Sequence, residues 1–316
     1  MKPSSKIYVA GNRGLVGSAI ERRLRAGGFV RLVTSDVGDF DLTDPRAVDA
    51  FFARERPEYV FLAAAKVGGI KANDAFPADF IRVNLQIQTN VLDAAHRHGA
   101  TKLLFLGSSC IYPKHAPQPL REEHLLTGPL EPTNDAYAIA KIAGIIMCQS
   151  YNRQHGTRFI AAMPTNLYGP GDNFDLESCH VLPAMIRKFH EAKIGEKPAV
   201  ELWGSGTPHR EFLYVDDLAD ALVHLMRRFE PTRERTFVNV GVGVDISIAE
   251  LAALVREVVG YEGDISWNTA MPDGTPRKLL DVSAIAALGW RAATPLEAGL
   301  RRTYAWFLEN PDRVRR

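Results

Sequence analysis

Several large protein classes are excluded by what the sequence has little of. Its 316 residues hold three cysteines, Cys110, Cys148 and Cys179, odd in number and widely spaced. A disulfide framework is not expected from such a set, and no cysteine or histidine spacing suits a metal. Lysine and arginine total 38 against 37 aspartate and glutamate, a net charge of +1. Proteins that bind nucleic acid or an anionic membrane surface carry a basic excess that this chain lacks. No apolar run approaches the roughly 20 residues of a membrane span. Met1 to Lys6 leads straight into the strand-like Ile7-Tyr8-Val9-Ala10, so no secretory signal is expected. Internal repeats and low-complexity tracts are missing as well. With 46% apolar residues, the chain suits a cytosolic globular protein of one or two domains with a sizeable core.

What is present begins with a strand, a glycine turn and a helix. Ile7 to Ala10 runs into Gly11-Asn12-Arg13-Gly14-Leu15-Val16-Gly17, and Ser18 to Gly27 has helical character. Glycines in that context let the backbone approach a pyrophosphate held at a helix N-terminus. The spacing is G-x-x-G-x-x-G, and a purely structural turn is the plainer alternative. Phe29 to Thr34 follows as a second strand. After it, Asp36 could bond a ribose 2′-hydroxyl and favour NAD, whereas Arg13 could pair with a 2′-phosphate and favour NADP. Asp41-Leu42-Thr43-Asp44 opens a helix capped by Thr43 or Asp44, with Pro45 at its first position. Tyr59 to Ala65 and Lys102 to Leu106 are continuous apolar runs, as in strands buried on both faces. Val67-Gly68-Gly69-Ile70 reads as a flexible turn, and 78–97 as a long helix on which Asn84 is either exposed or set to orient a lysine through water. Alternating strands and helices predict an α/β fold, a doubly wound and mostly parallel sheet of Rossmann type.

Tyr137-Ala138-Ile139-Ala140-Lys141 lies in a helical run from Ala136 to Met147. Four residues apart, the tyrosine and lysine share a face. A neighbouring ammonium lowers a phenol's pKa from roughly 10, and such a phenol can donate a proton to a forming alkoxide. An ordinary surface pair at helical spacing is the competing explanation. Ser108 to Cys110 would lie at the carboxyl end of the 102–106 strand, beside that helix.

Beyond Gly169 the alternation weakens. Val181 to Ala192 reads as a helix, Val200 to Trp203 as a strand, and Arg210 to Asp217 leads into a helix capped by Asp216 or Asp217. Thr236 to Val240 returns to the large sheet, Ser247 caps a helix with Glu250 three residues on, and 301–309 closes the chain. Arg210 suits a diphosphate or a surface ion pair with Glu211 or Asp216. Trp203 suits a base stack or a small core. The expected division is a dinucleotide-binding domain of residues 1–168 with 213–245, and a smaller α/β substrate domain of 169–212 with 246–316, with the cleft between them.

Taken together, the glycine loop, the serine after a buried strand and Tyr137-x-x-x-Lys141 resemble the short-chain dehydrogenase/reductase family, in its extended branch of nucleotide-sugar enzymes. Further segments sharpen the resemblance: Ala63 to Ile70, Gly107-Ser108-Ser109-Cys110-Ile111-Tyr112-Pro113, Glu131 to Asn134, Pro164 to Pro170, Asp172 to Phe174, Trp203 to Pro208 and Pro272 to Lys278. They are similar to epimerase-reductases that act on GDP-4-keto-6-deoxy-D-mannose, inverting C3 and C5 and then reducing C4 with NADPH. The resemblance implies Ser108, Tyr137 and Lys141 as the reductase triad, Cys110 as the base and His180 as the acid of epimerisation. It implies NADP contacts from Gly11, Asn12, Arg13, Gly14, Leu15, Val16, Gly17, Asp41, Leu42, Leu106, Gly107, Ser109, Lys141, Pro164, Thr165, Asn166, Leu167 and His180. Lys188, Trp203, Arg210 and Asp273 would touch the sugar nucleotide, with no metal. Lys188 stands where an arginine is common, which turns a bidentate grip into a point charge. Ser35 and Val37 stand where bacterial relatives carry arginines. A homodimer is expected, with no nucleic-acid or membrane partner. The alternatives are another NAD(P)-dependent nucleotide-sugar epimerase or dehydratase, or a non-catalytic NADP-sensing protein.

Overall fold

A computed structural model describes every residue except Asp36, Val37, Asp39, Pro272, Arg313, Arg315 and Arg316. The first part runs β1 (Ile7–Ala10), α1 (Leu15–Ala26), β2 (Leu32–Ser35), α2 (Pro45–Glu55), β3 (Tyr59–Leu62), α3 (Ile70–Ala75), α4 (Pro77–Arg97), β4 (Lys102–Leu106), α5 (Asp135–His155) and β5 (Phe159–Pro164). It continues with β6 (Asn166–Tyr168), α6 (Val181–Ile194), β7 (Ala199–Trp203), β8 (His209–Arg210), β9 (Phe212–Tyr214), α7 (Val215–Arg228) and β10 (Phe237–Val240). Last come β11 (Ile246–Ser247), α8 (Ile248–Val259), β12 (Asp264–Asn268), β13 (Arg277–Lys278), α9 (Ser283–Ala287) and α10 (Leu296–Glu309).

Among the described residues, six parallel strands form one sheet in the order β10-β5-β4-β3-β1-β2. The doubly wound α/β expectation holds. Its strands are mostly apolar because both faces are covered. Ile20, Leu24, Leu218, Leu222 and Leu225 of α1 and α7 fill one face, and Val48, Phe52, Val91, Ile145 and Cys148 of α2, α4 and α5 fill the other. Strand order reverses at β1 and β3, so a crevice opens at their carboxyl ends. A third core gathers Phe174, Leu182, Ile186 and Phe189 with Leu251, Val255, Leu300 and Phe307.

Local boundaries differ from the sequence reading in physically informative ways. Asp44 caps α2, accepting from Arg46 N at 2.9 Å, and Ser247 with Glu250 forms a capping box on α8, both as expected. The helix after β9 starts at Val215, and neither Asp216 nor Asp217 caps it. Asp216 instead pairs with Arg22 at 2.6 Å, and Asp217 accepts from Ala293 N, Thr294 N and Thr294 Oγ1. Val67 to Ile70 is no loose turn: Gly69 caps α3, and its N–H donates to Ser178 O at 3.0 Å. Asn84 is buried and orients the Lys66 backbone, not a catalytic lysine, bonding Lys66 N and O at 2.9 Å each.

Candidate active site

The glycine loop turns where β1 meets the crevice. Gly11 has φ +81°, and a Cβ on it would lie 2.9 Å from Ala64 Cα on the neighbouring strand's exit. A Cβ on Gly17 would lie 2.6 Å from the carbonyl carbon of Gly11. Both glycines therefore set how closely loop, helix and sheet approach. Gly14, at the N-cap of α1, supplies no side-chain cap, so the first-turn amides are available to an anion. These features fit a dinucleotide pyrophosphate. Arg13 is exposed, and its Nη1 lies 3.8 Å from where a Cβ on Gly38 would stand, so it reaches the turn after β2. Asp36, the competing candidate, lies outside the described residues. Asp41 holds Thr43 N at 2.8 Å and Thr43 Oγ1 at 2.7 Å, and these bonds keep its carboxyl below the usual range.

Ser108, Cys110, Tyr137 and Lys141 come together at the end of β4. The close approach of α5 to β4 brings them there: a Cβ on Gly144 would lie 2.5 Å from Phe105 Cε1. Lys141 is 3% exposed, donates to Leu106 O at 2.9 Å, and stands 5.6 Å from the centre of the Tyr137 ring. Ser108 caps a 3-10 turn of Ser109–Ile111, accepting from Cys110 N at 3.4 Å. An extended segment would put Ser108 and Cys110 on one face; the chain turns here instead. Even so, the Ser108 side chain is close enough to both the Cys110 thiol and the Tyr137 phenol to pull the pKa of each down.

Charge in this corner follows burial more than the simple pairing rule. Burial pushes Tyr137 up, the Cys110 charge adds to that, and Ser108 pulls down. Lys141 does not lower the phenol here. It is itself pushed down to about 8 by burial, with Cys110 opposing. Burial likewise raises Cys110, while Ser108, Lys278 and Lys141 pull it down, in that order. A Cys110 thiolate thus disfavours the Tyr137 phenolate.

The facing wall comes from scattered short elements. His180 is the N-cap residue of α6 and is exposed, yet closely surrounded by protein atoms. Crowding first, and Lys278 second, lower its pKa from 6.5. Lys188 donates to Glu201 O at 3.0 Å and sits 5.7 Å above the half-exposed Trp203 ring, so Trp203 is not a core residue. Arg210 pairs with neither Glu211 nor Asp216; it donates to His209 O at 2.8 Å and Asp273 O at 3.4 Å. The Asp273 carboxylate pins the Gly204-Ser205-Gly206 turn through Ser205 N at 2.7 Å and Ser205 Oγ at 2.8 Å. Thr165 and Asn166 commit their side chains to Glu211 O at 3.1 and 2.9 Å. Pro164 and Leu167 flank them at the end of β5 and in β6.

Lys278 is the participant that sequence reasoning passed over. It lies in register with Arg210 in the parallel β13–β8 pair, and it lines one recess with Cys110, Glu131 and Asn134. Its charge bears on both Cys110 and His180. Only its place in the Pro-Arg-Lys run could have drawn attention to it, since no periodicity marks a two-residue strand.

The NAD dependent epimerase/dehydratase family matches residues 7–241, and the chain belongs to it. Within that family it is 60% identical to the putative GDP-L-fucose synthase 2 of Arabidopsis thaliana, covering 98% of this chain and 94% of that one. It is 55% identical to the GDP-L-fucose synthase of Escherichia coli K12, covering 98% of each. Among solved structures it is similar to MlghC, a GDP-mannoheptose C4 reductase of Campylobacter jejuni with NADP bound. That likeness has TM-score 0.90, 41% identity, and coverage of 98% of this chain and 99% of that one.

Proposed function

We propose that the protein converts GDP-4-keto-6-deoxy-D-mannose to GDP-L-fucose by epimerisation at C3 and C5 followed by NADPH-dependent reduction at C4. The carrying observation is that Ser108, Cys110, Tyr137 and Lys141 gather at the end of β4, with Ser108 acting on both the thiol and the phenol and Lys278 acting on both Cys110 and His180. Protons at C3 and C5 flank the ketone, so removing either puts negative charge on O4. Ser108 and Tyr137 donate to O4 in that enolate and again when C4 becomes an alkoxide. Cys110 takes each proton from one face, and His180 returns one to the other. While Cys110 is a thiolate, Tyr137 keeps its proton, so its phenol is a donor when reduction follows. His180 rests neutral near pH 7, because crowding and Lys278 lower its pKa. An anionic diphosphate near Lys278 and Arg210 offsets that field and lets the imidazole carry the proton it gives.

NADPH supplies the hydride. The residues suited to hold it are Gly11 to Gly17, with Arg13 toward the 2′-phosphate, Asp41, Leu42, the end of β4 and Pro164 to Leu167. Lys141 orients Tyr137 from its place under Leu106. Lys188, Trp203, Arg210 and Asp273 receive the nucleotide. We divide the chain into a cofactor part, 1–168 with 213–245, and a substrate part, 169–212 with 246–316, which the separate third core supports. Exposed Ile139 and Ile146 on α5 support a homodimer formed across α4 and α5. All three cysteines are free and no described helix is long and apolar enough to cross a membrane, which supports a cytoplasmic location.

The test is incubation with GDP-4-keto-6-deoxymannose and NADPH, following NADPH absorbance and identifying the sugar. GDP-L-fucose formed with one NADPH consumed supports the reading. Product reduced at C4 but not inverted at C3 and C5 refutes its epimerase half. A tightly bound cofactor that is not consumed points to the recycling epimerase or dehydratase.

A further inference from the structure

Glu211 has no role in the chemistry above, yet it is fully buried between Arg210 and Phe212. Val242 N and Gly243 N donate to its Oε1 at 2.5 and 2.7 Å, and Leu280 N donates to its Oε2 at 2.9 Å. Three backbone donors on two oxygens are a set that a carboxylate satisfies and an amide does not. The space is closed to anything more, because a Cβ on Gly241 would lie 2.9 Å from Glu211 Cδ. Glu211 O meanwhile accepts from Thr165 and Asn166. Four chain segments thus meet on one residue: the β5–β6 junction, the β8–β9 junction, the loop after β10, and the chain after β13.

The last of these segments carries Lys278, two residues before Leu280. On its other side the same segment is held by Leu120, through Leu120 N to Leu279 O at 2.7 Å and Asp281 N to Leu120 O at 2.8 Å. We propose that Glu211 is a positioning residue: its buried carboxylate holds the 278–280 segment, and with it Lys278, at the wall of the recess that contains Cys110. Arg210 and Glu211 then act on the same wall from opposite faces of the chain, one toward the cleft and one from behind. The Lys278 charge that opposes the burial of Cys110 depends on this anchor.

Glu211→Gln keeps the shape. Its amide nitrogen must face at least one backbone N–H, donor to donor, so the anchor on Leu280 or on the Val242–Gly243 turn fails. The probe is iodoacetamide alkylation of Cys110 across pH, read by peptide mass spectrometry, with fully buried Cys148 as an internal monitor of unfolding. The expected result is a Cys110 rate at neutral pH lowered about 3- to 10-fold, its midpoint moved to higher pH, and Cys148 still protected. Lys278→Met removes the cation and leaves the Glu211 bonds intact, so it should give the same shift. The double variant should add little more, as expected of two residues acting through one contact. A wild-type Cys110 profile in folded Glu211→Gln overturns the proposal. So does a wild-type profile in Lys278→Met, even where Glu211→Gln does not accumulate. The meaning for catalysis rests on the proposed role of Cys110. The readout is thiol chemistry alone, so failure of the substrate assay would leave this result standing.

Discussion

The two walls of the cleft are built by different means. Tyr137 and Lys141 sit one turn apart on the long helix α5, and Ser108 lies just past the end of β4, so their placement follows from one strand end and one helical turn. His180, Lys188, Arg210 and Lys278 sit on a helix N-cap, a helix face and two two-residue strands. The first wall is held by buried apolar packing, the second by side-chain bonds to backbone, with Glu211 and Asp273 as the anchors. A rigid wall suits a reaction at one carbon with fixed hydride geometry. A wall assembled from bonded segments can take up a whole sugar nucleotide and carry charge to it.

The sharpest way to break this comparison is to take the proton-transfer groups from each wall in turn. Cys110→Ala should bind NADPH normally and fail to exchange the C3 and C5 protons of the keto sugar in deuterated water. His180→Asn should block product while leaving some exchange through Cys110 alone. Full deuterium uptake in Cys110→Ala would mean the base lies elsewhere. Next in size, Tyr137→Phe should lower NADPH oxidation by a factor on the order of 10²–10⁴, with cofactor affinity retained. Near-normal turnover in that variant would remove Tyr137 from the mechanism.

Arg13→Ala tests whether the first wall also reads the cofactor. The preference for NADPH over NADH should shrink by roughly 1–3 kcal/mol, the scale of a charge-assisted hydrogen bond. Equal binding of both cofactors by the wild type in calorimetry would show that Arg13 reads no 2′-phosphate. The smallest effect is in pH. Lys141 is pushed down to about 8, so its positive charge is complete well below that pH and lost as pH rises through it. If kcat/KM for reduction needs the cation, it should fall above about pH 8. In Lys141→Arg, whose charge persists, residual activity should lack that limb. A limb at the same pH in Lys141→Arg would assign it to another group.

The same contrast decides what could be read from the sequence. Continuous apolar strands and the helical spacing of Tyr137 and Lys141 leave local patterns, so the sheet and one wall were legible. The helix caps at Asp44 and Ser247 were legible because capping is local chemistry. The second wall was reached mainly through resemblance, since β8 and β13 are too short to leave a pattern. Lys278 and Glu211 matter through partners more than 30 residues away in the chain. The expected lowering of Tyr137 failed for a related reason: helical spacing sets proximity, whereas burial depends on everything packed around it.

Gly144 carries a consequence for anyone wishing to stabilise this protein. A glycine in a helix interior costs up to about 1 kcal/mol relative to alanine, so it is an obvious target for replacement. Here the added methyl, one helical turn from Lys141, would land 2.5 Å from Cε1 of Phe105, on the strand that ends two residues before Ser108. It would lever α5 outward and carry Tyr137 away from its serine. The helix is thus thinned where chemistry demands contact, and a substitution chosen to raise melting temperature would lower activity about two turns away.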